Sequence, residues 1–441
     1  MNTLFYETPA RTITTRLLHR RMPAPPVETE CTPKPTFTHG CDRLLSQSTE
    51  PAVLELNQIQ TAIAESGADA WLFYDHHQRD PLAYAILGLP AAHVTRRWYY
   101  LIPAHGEPSK LVHKIEPARL DSLPGSKTTY SSWQSHEAAL REMVAPFQRI
   151  AMQYSPRNTI MYVSMVDAGT VELLREFGKE ILSSAELVSR FQAVLSEDQI
   201  RSHYDAQQAL DKVLAAGFEE IGRRAAAGDS FTEYDMLLWL EEAMRRENLI
   251  CENRPNVSIN ENSSDSHYEP QPNSSRPIRT GDFLLIDIWA RTNQPQSCYY
   301  DITWTAVIGR DPSSEEQRVF SIVRDARDAA ISAVKQAFAE NRPMQGWEAD
   351  DQARHIINSA GYADFFNHRT GHNISSILHG AGAHLDNLET HDERLILPNT
   401  CFSVEPGIYL PHFGVRSEIN MITAPGSARV TGRVQNQLLR L

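Results

Sequence analysis

The 441-residue sequence lacks an apolar run long enough to cross a bilayer, which takes about 20 residues. Its best run, "FLLIDIWA", is short and is interrupted by an aspartate. Positive charge is also scarce, because 42 lysines and arginines against 55 aspartates and glutamates leave a formal net charge of −13. The sequence therefore predicts no membrane partner and no nucleic-acid partner, since anionic membranes and nucleic acids both select basic surfaces.

Cysteine is rare, and its five residues are scattered without the spacing of a metal site or a disulfide framework. Sparse thiols favour a reducing compartment, so we expect the protein in the cytoplasm. Residues 1–50 differ from the rest, because their early part is rich in arginine and poor in acids. We predict a disordered or leader segment there, with an organelle transit peptide as the alternative.

The remaining sequence divides into two predicted domains. Short apolar strands such as "AWLFY", "SKLVHKI" and "TIMYVSMV" alternate with helical segments over residues 51–195, which predicts an α/β N-terminal domain. A long amphipathic helix then starts after Ser196, a suitable N-cap, and ends near Gly228. We place the boundary just before Ser196, so that residues 196–441 form the second domain.

Two aspartates mark a candidate metal site in a predicted β-hairpin. Asp287 and Asp301 lie symmetrically about Gln294 in "GDFLLIDIWARTNQPQSCYYDITWTAVIG", and both arms are rich in β-formers. If the two arms pair symmetrically about Gln294, the two aspartates are direct cross-strand neighbours with Cβ atoms about 5 Å apart, unless a bulge in the loop shifts them. Such a pair repels unless a cation lies between the carboxylates or one is protonated. The alternative is that each aspartate simply ends its strand.

A second acidic pair occurs near the C-terminus, in "CFSVEPGIYLPHFGVRSEINMIT". Glu405 and Glu418 are symmetric about the Pro411–His412 turn, so they are predicted to face each other across a hairpin. The alternatives are a strand-ending turn at Glu405 and a salt bridge between Glu418 and Arg416.

The stretch "HRTGHNISSILHG", residues 368–380, adds three histidines. Alone they could be metal ligands, acid–base groups or buried structural residues. Two Asp, two Glu and at least one His form a donor set for two divalent cations, and the excess of oxygen donors favours Mn²⁺, with Co²⁺ or Zn²⁺ as alternatives. Two such ions lower the pKa of a shared water molecule and polarise a substrate carbonyl. The sequence therefore indicates a metal-dependent hydrolase.

In order along the chain, "DIWAR", "YYDITW", "HRTGHN", "FSVEPGIYL" and "FGVRSEIN" resemble the motifs of the M24 or pita-bread metallopeptidases, which include Xaa-Pro aminopeptidases, prolidases and methionine aminopeptidases. The resemblance covers about residues 52–441. It is to the Xaa-Pro aminopeptidase and prolidase branch with a creatinase-like N-terminal domain. It implies an α/β N-terminal domain, an α+β pita-bread catalytic domain, and a homodimer or higher homo-oligomer. It also implies cleavage of peptides or dipeptides with proline at P1′ by a hydroxide that bridges two metal ions.

The resemblance also implies a role for each motif residue. The implied metal ligands are Asp287, Asp301, His372, Glu405 and Glu418. Glu405 would also shuttle a proton, and His379 would stabilise the tetrahedral intermediate. His267 would lie near the substrate, Arg416 would stand behind the ligands, and His368 would either line the wall of the site or stand behind the ligands.

The sequence departs from the family pattern at three points. The Asp287–Asp301 connection is a few residues longer than usual, Ser375 replaces a glycine, and Trp304 stands where many relatives have arginine. These departures leave the substrate open, because a fold and its site architecture do not determine the substrate. The alternatives to an Xaa-Pro peptide are a small non-peptide C–N or sulfonium compound, and a non-catalytic module that binds peptide or protein. The complete ligand set argues against the module.

Overall fold

The computed structural model describes residues 55–90 and 92–441, so the prediction of a disordered or leader segment at residues 1–50 lies outside the described residues. The described residues belong to one unit of the chain, which contains two regions of different architecture. We call residues 55–195 the N-terminal region and residues 196–441 the C-terminal region, following the predicted boundary. No helix of the described residues is long and apolar enough to cross a membrane.

A six-stranded sheet forms the centre of the N-terminal region. Its strands are β1 (Ala70–Asp75), β2 (Trp98–Pro103), β3 (Ser109–His113), β4 (Ser126–Tyr130), β5 (Arg149–Met152) and β6 (Glu180–Ser183). The strand order is β4-β3-β2-β1-β5-β6, and β2 runs antiparallel to both of its neighbours. The helices are α1 (Leu56–Ser66), α2 (Pro81–Leu87), α3 (Trp133–Val144), α4 (Ala168–Glu176) and α5 (Ala185–Gln192). Two apolar clusters pack the helices on the sheet, which confirms the α/β prediction.

The predicted strand "TIMYVSMV" is wrong. The chain leaves the sheet at Met152, and Met161–Val163 form a single 3₁₀ turn. Ile160 and Val163 are buried in the same apolar cluster as Trp71, so they pack against the sheet without pairing in it. An apolar run of this length cannot by itself distinguish the two arrangements.

The C-terminal region contains two helix pairs and three sheets, one of which has only two strands. Its helices are α6 (Glu197–Ala227), α7 (Glu233–Arg246), α8 (Ser314–Ala339) and α9 (Gly346–Ser359). Its strands are β7 (Leu249–Ile250), β8 (Asn256–Ile259), β9 (Phe283–Thr292), β10 (Tyr300–Val307), β11 (Asn373–Ile374), β12 (Cys401–Val404), β13 (Gly407–Leu410), β14 (Phe413–Arg416), β15 (Ile419–Ala424), β16 (Ser427–Thr431) and β17 (Leu439–Arg440). The long helix begins and ends as predicted, with Ser196 as N-cap and a left-handed Gly228 after its last turn.

Each helix pair covers one sheet of the C-terminal region. One apolar cluster joins α6 and α7 to β8, β9 and β10, and a second joins α8 and α9 to β12 through β15. The first sheet has the order β17-β10-β9-β7, with β8 also on β9, and the second has the order β11-β12-β15-β16. The polar faces of the two sheets are therefore left to line a common interior, which is the arrangement of a pita-bread fold.

The N-terminal region packs against the segment that carries the three motif histidines. The backbone N–H of Leu195 donates to the carbonyl of Asn399 over 2.8 Å, and that of Leu395 donates to Glu186 over 3.0 Å. Tyr162 packs edge-on against His384, with 4.3 Å between the ring centroids. These contacts hold residues 384–399 in place behind the histidine motif.

Candidate metal centre and active site

The structure brings all five predicted ligands into one buried cluster. Nε2 of His372 lies 3.5 Å from Oδ2 of Asp301 and 3.4 Å from Oε1 of Glu405. Ligand atoms of Asp301, His372 and Glu418 all lie within 4.8 Å of one another. Asp287 joins through a shared neighbour, because the hydroxyl of Thr303 lies 2.8 Å from Oδ1 of Asp287 and 2.7 Å from Oε2 of Glu418. Their convergence is the geometry that the sequence predicted, and metal binding by these five stays a prediction.

The predicted direct pairing of Asp287 with Asp301 is wrong. Asp287 faces Thr303 and Asp301 faces Trp289, so the two aspartates are diagonal neighbours on the same face of the sheet. The last pair between the two arms is Ala290 with Tyr300, and β9 continues for two more residues that pair with β7 on its opposite edge. The alignment of the arms differs by two residues from the symmetric one, and a shift of two keeps both side chains on one face.

The predicted alignment of Glu405 with Glu418 is confirmed by the strands on either side of them. Leu410 faces Phe413 across the tight turn, and Val404 faces Ile419 in the next ladder with the same alignment. Glu405 and Glu418 lie between these two ladders and do not pair with each other: the backbone N–H of Glu405 donates to the carbonyl of Thr370 over 2.7 Å, and that of Glu418 donates to the carbonyl of Thr303 over 3.2 Å. The bond from Glu418 to Thr303 joins this segment to β10, the strand that carries Asp301.

The cluster holds more negative charge than its protein neighbours neutralise. Asp301 and Glu418 are only 4 % and 1 % exposed, and Oδ1 of the first and Oε1 of the second have no hydrogen-bond partner among the described residues. Burial, then the nearby Asp287 and Glu405, raise the pKa of Asp301 well above its ordinary value. Burial and the neighbouring Asp301 do the same to the pKa of Glu418, and burial raises the pKa of Glu405 to about 7.

This donor set fits divalent cations. A buried carboxylate oxygen without a partner is costly, and a cation supplies both the missing contact and the missing charge. His372 offers a soft nitrogen beside those oxygens, and burial holds its pKa well below the ordinary value, so the ring is neutral and can act as a ligand. Oxygen donors in excess of nitrogen match Mn²⁺ and related ions, as predicted from the sequence.

Arg416 is held behind the carboxylates, as the resemblance implied. Its guanidinium forms an ion pair with Asp287, donates through Nε to the Thr303 hydroxyl over 3.0 Å, and lies 3.8 Å from Glu405. It also donates to Oη of Tyr409 over 3.1 Å, and that oxygen lies 2.7 Å from Nε2 of His368. His368 therefore supports the cluster from outside, through Tyr409 and Arg416, which agrees with the second of its two predicted places, behind the ligands.

His379 and His267 lie at the exposed edge of the cluster. The ring of His379 packs edge-on against His372, with 4.2 Å between centroids. Atoms packed around this ring, then the charge of Arg369 and of nearby His267, lower the pKa of His379 to about 4. His267 itself is exposed. Both rings are therefore exposed to solvent beside the cluster.

Three residues of the site escaped the sequence reasoning. Thr303 links two carboxylates, Asn420 accepts the backbone N–H of Asp301 over 2.9 Å, and Ser403 donates to Glu405 over 3.0 Å. Each stands two residues from a predicted ligand, so the alternation of side chains along extended chain was the signal that could have found them.

Two of the departures from the family pattern lie away from the acids. Trp304 is on the opposite face of β10 from Asp301 and packs in the cluster under α6. Ser375 is buried, and its hydroxyl accepts from the backbone N–H of Ile377 over 3.2 Å, so it stabilises a turn. The hydroxyl of Ser375 is therefore used within the protein and does not face the metal ligands.

Comparisons with known proteins place this architecture in a family. The model of metallopeptidase family M24 matches residues 202–425. The Xaa-Pro dipeptidase of Pyrococcus furiosus is 28% identical over 268 residues, which cover 59% of this chain and 69% of that protein. The crystal structure of dipeptidase PepE from Mycobacterium ulcerans has a TM-score of 0.64 at 21% identity, covering 87% of this chain and 96% of that one.

The same fold also occurs in a protein of a different kind. The N-terminal domain of the FACT complex subunit SPT16 from chickpea has a TM-score of 0.57 at 11% identity, covering 86% of this chain and 96% of that one. At such identity the likeness extends to the fold alone. The match over residues 202–425 includes every predicted metal ligand, and this chain belongs to metallopeptidase family M24.

Proposed function

We propose that this protein is a two-metal peptidase that cleaves Xaa–Pro bonds. The observation that carries the proposal is the convergence of four acids and one neutral histidine, with two buried carboxylate oxygens that have no partner among the described residues. The Xaa-Pro dipeptidase named among its relatives supports the choice of bond. Whether dipeptides or longer peptides are preferred is a matter for the experiment below.

The five convergent side chains would hold the two cations, Mn²⁺ by preference and Co²⁺ or Zn²⁺ as alternatives. When bound, the ions would supply a water molecule that is deprotonated at neutral pH and would polarise the scissile carbonyl. The protein's own contribution is to keep the donors fixed. Arg416, Thr303 and Asn420 tie down Asp287, Glu418 and the backbone of Asp301.

Glu405 is the residue suited to move a proton. Without bound ions, burial raises the pKa of this carboxyl to about 7, and a carboxylate placed beside the metal-bound water can take up and release its proton, which is the requirement for general acid–base catalysis. The Ser403 hydroxyl donates to its Oε1 over 3.0 Å and so orients it toward His372. Glu405 would accept a proton from the attacking water and deliver it to the departing proline nitrogen.

His379 and His267 are suited to contact the substrate. Both are exposed to solvent beside the cluster, and His379 is neutral near pH 7 because its pKa is about 4. A neutral imidazole that donates a hydrogen bond toward the reacting oxygen stabilises developing negative charge. The flat rings also offer an apolar wall to the pyrrolidine ring of proline. Of the aromatic residues near the motif, Phe366 is buried in the core and is not available for that wall.

A substrate panel with and without added Mn²⁺ tests the proposal. We expect metal-dependent hydrolysis of Gly-Pro or Ala-Pro, or of a tripeptide that begins Ala-Pro, and none of creatine or of Gly-Leu. Preference for the dipeptide would identify an Xaa-Pro dipeptidase, and preference for the tripeptide an Xaa-Pro aminopeptidase. A metal-loaded protein that hydrolyses no Xaa-Pro substrate would refute the proposed substrate. Protein that neither retains divalent metal nor is activated by it would point back to a binding module.

A further inference from the structure

A second cluster of metal-binding side chains lies outside the acidic cluster. His203 of α6, Cys298 in the β9–β10 connection and Cys401 at the start of β12 come together from three distant parts of the sequence. One ligand atom of each lies within 4.8 Å of the others, and each residue is 0% exposed. None of the three has a part in the proposed reaction. We call them the thiol–imidazole cluster.

The spacing within the thiol–imidazole cluster fits coordination. Sγ of Cys401 lies 3.8 Å from Nδ1 of His203. Around one zinc ion, with Zn–S near 2.3 Å and Zn–N near 2.0 Å, a sulfur and a nitrogen ligand lie about 3.5–3.8 Å apart. The ligand atoms therefore need only small movements to enclose an ion, because the side chains already approach from three different elements.

His203 can become a metal ligand through Nδ1 and still keep the hydrogen bond that its Nε2 makes with Thr431. Nδ1 lies 2.6 Å from the carbonyl oxygen of Tyr299, and Nε2 lies 2.9 Å from Oγ1 of Thr431. A carbonyl only accepts, so in this state Nδ1 carries a proton. Transfer of that proton to Nε2 exposes the Nδ1 lone pair and lets Nε2–H donate to Thr431. A ligating histidine whose other nitrogen donates to a protein oxygen is the usual arrangement in metal sites.

The same proton transfer releases a fourth donor. The carbonyl of Tyr299 loses its bond from Nδ1, and it already lies 3.6 Å from Sγ of Cys298. Two sulfurs, one nitrogen and one carbonyl oxygen then surround one position, and four donors are the number that Zn²⁺ takes in closed sites.

We propose that Cys298, Cys401 and His203 bind one Zn²⁺ ion, with the carbonyl of Tyr299 as fourth ligand. Binding converts two thiols to thiolates and releases two protons, so the ion and its ligands have no net charge. Neutrality matters because the surroundings include the apolar Leu195, Ile374 and Ile422, and an uncompensated buried charge is costly.

The two thiols differ in their readiness to ionise. Burial raises the pKa of Cys298, but hydrogen bonds with Cys401 and His203 outweigh it and leave the pKa at about 6. Burial raises the pKa of Cys401 well above its ordinary value, so this second thiolate forms only when a cation is bound beside it. The ion would tie α6 to the starts of β10 and β12, which lead directly to Asp301 and Glu405, so its role is to stabilise the strands that carry the catalytic ligands.

Cadmium is a suitable probe because it binds thiolates and absorbs in the ultraviolet only through metal–sulfur bonds. The cluster is closed to solvent, so the full-length protein is produced in cells grown with added Cd²⁺. We expect purified wild-type protein to show thiolate–cadmium absorption from about one ion per chain. Ions bound at the acidic cluster contribute nothing to this signal, since no sulfur lies among its ligands. The signal is therefore independent of turnover.

Matched variants locate the signal. Cys298→Ala and Cys401→Ala are expected to lose it, whereas Cys251→Ala, at a cysteine outside the cluster, is expected to keep it. Cadmium NMR of the wild type tests the proposed ligands even if a variant fails to fold, because the chemical shift depends on the number of sulfur ligands. We expect the shift of an ion bound by two sulfurs, and a shift typical of oxygen and nitrogen ligands alone would contradict the proposal. The absence of thiolate–cadmium absorption in the wild type would overturn the proposal. So would a wild-type mass that reveals a disulfide between Cys298 and Cys401.

Discussion

Buried carboxylates occur in both regions of this molecule, and their surroundings differ. In the N-terminal region, Asp75 is 1% exposed and accepts four hydrogen bonds. Three come from backbone N–H groups of the following loop and one from the hydroxyl of Tyr84. In the C-terminal region, Asp301 and Glu418 are as deeply buried, yet each keeps an oxygen without a partner among the described residues.

The difference separates structural acids from functional ones better than burial does. Every oxygen of Asp75 is used to close a loop, so its charge is compensated within the protein. The acids of the cluster repel one another, and Asp287 and Glu418 share one hydroxyl, that of Thr303. Such an arrangement is unfavourable until a cation enters, and stability given up in this way is typical of active sites.

The largest effect on kcat is expected at Glu405. The difference between the acids of the cluster and Asp75 predicts that a change here removes activity and leaves the fold intact. Glu405→Gln keeps the size of the side chain but removes the titrating proton, so kcat should fall by about 100-fold or more. Steady-state kinetics on Ala-Pro with saturating Mn²⁺ measures it, and circular dichroism checks the fold. Asp75→Asn is the matched control and should retain the wild-type kcat. Wild-type kcat in Glu405→Gln would rule out the proton-shuttle role.

His372 is expected to determine metal occupancy. His372→Ala removes the only nitrogen predicted among the ligands, so the purified protein should bind less metal than the wild type. Metal analysis after dialysis against a fixed Mn²⁺ concentration gives the stoichiometry. His136→Ala, at a buried histidine of the N-terminal region, should leave it unchanged. Equal stoichiometry in both variants would contradict the assignment of His372 as a ligand.

The two groups of acids should respond in opposite directions when a charge is removed. Asp75→Asn replaces an acceptor with an amide and leaves backbone donors unsatisfied, so it should lower the free energy of unfolding by about 1–3 kcal/mol. Asp301→Asn relieves repulsion, so metal-free protein should be as stable as the wild type or more so. Thermal unfolding in the presence of a chelator measures both. A large destabilisation by Asp301→Asn would show that the cluster is internally compensated after all.

The smallest effect is expected in the pH dependence of the free energy of unfolding, which should differ between Asp80, the N-cap of α2, and Asp167, the N-cap of α4. Burial raises the pKa of Asp80 from 3.8 to about 7, so the folded state holds a proton that the unfolded state releases between these values. The contribution of Asp80 to stability is thus complete below pH 4 and is lost as the pH rises to about 7. Asp80→Asn keeps the cap on Ala83 and should flatten this decline, measured by urea unfolding across that range.

Asp167 supplies the control of opposite sign. Burial would raise its pKa, but bonds from Tyr74 and Thr170 outweigh it and the pKa is lowered. Its contribution is present above the ordinary aspartate pKa and is lost as the pH falls. Asp167→Asn should therefore matter at neutral pH and not in acid. Identical pH profiles for the two variants would refute the distinction.

The length of the turn between two strands decides whether the pairing of their acidic residues can be predicted from the sequence. The Glu405–Glu418 alignment could be predicted because a tight turn at Pro411 and His412 leaves little freedom of register. The Asp287–Asp301 pairing could not, because the connection over residues 291–299 is long enough to allow more than one register of the two arms. The apolar segment around Met161 was likewise misassigned, since packing on a sheet and pairing in it use the same residues.

The sequence by itself determined that Asp287 and Asp301 share one face of their hairpin, because alternation along a strand is a local property of the backbone. It also determined the ends of the long helix, through Ser196 and Gly228. Only the tertiary structure decided which carboxylate oxygens lack a partner and that Trp304 faces away from the acids. It alone also brought His203 to two cysteines that follow it by about one hundred and about two hundred residues. Those outcomes depend on contacts between distant elements, whose distances no local pattern specifies.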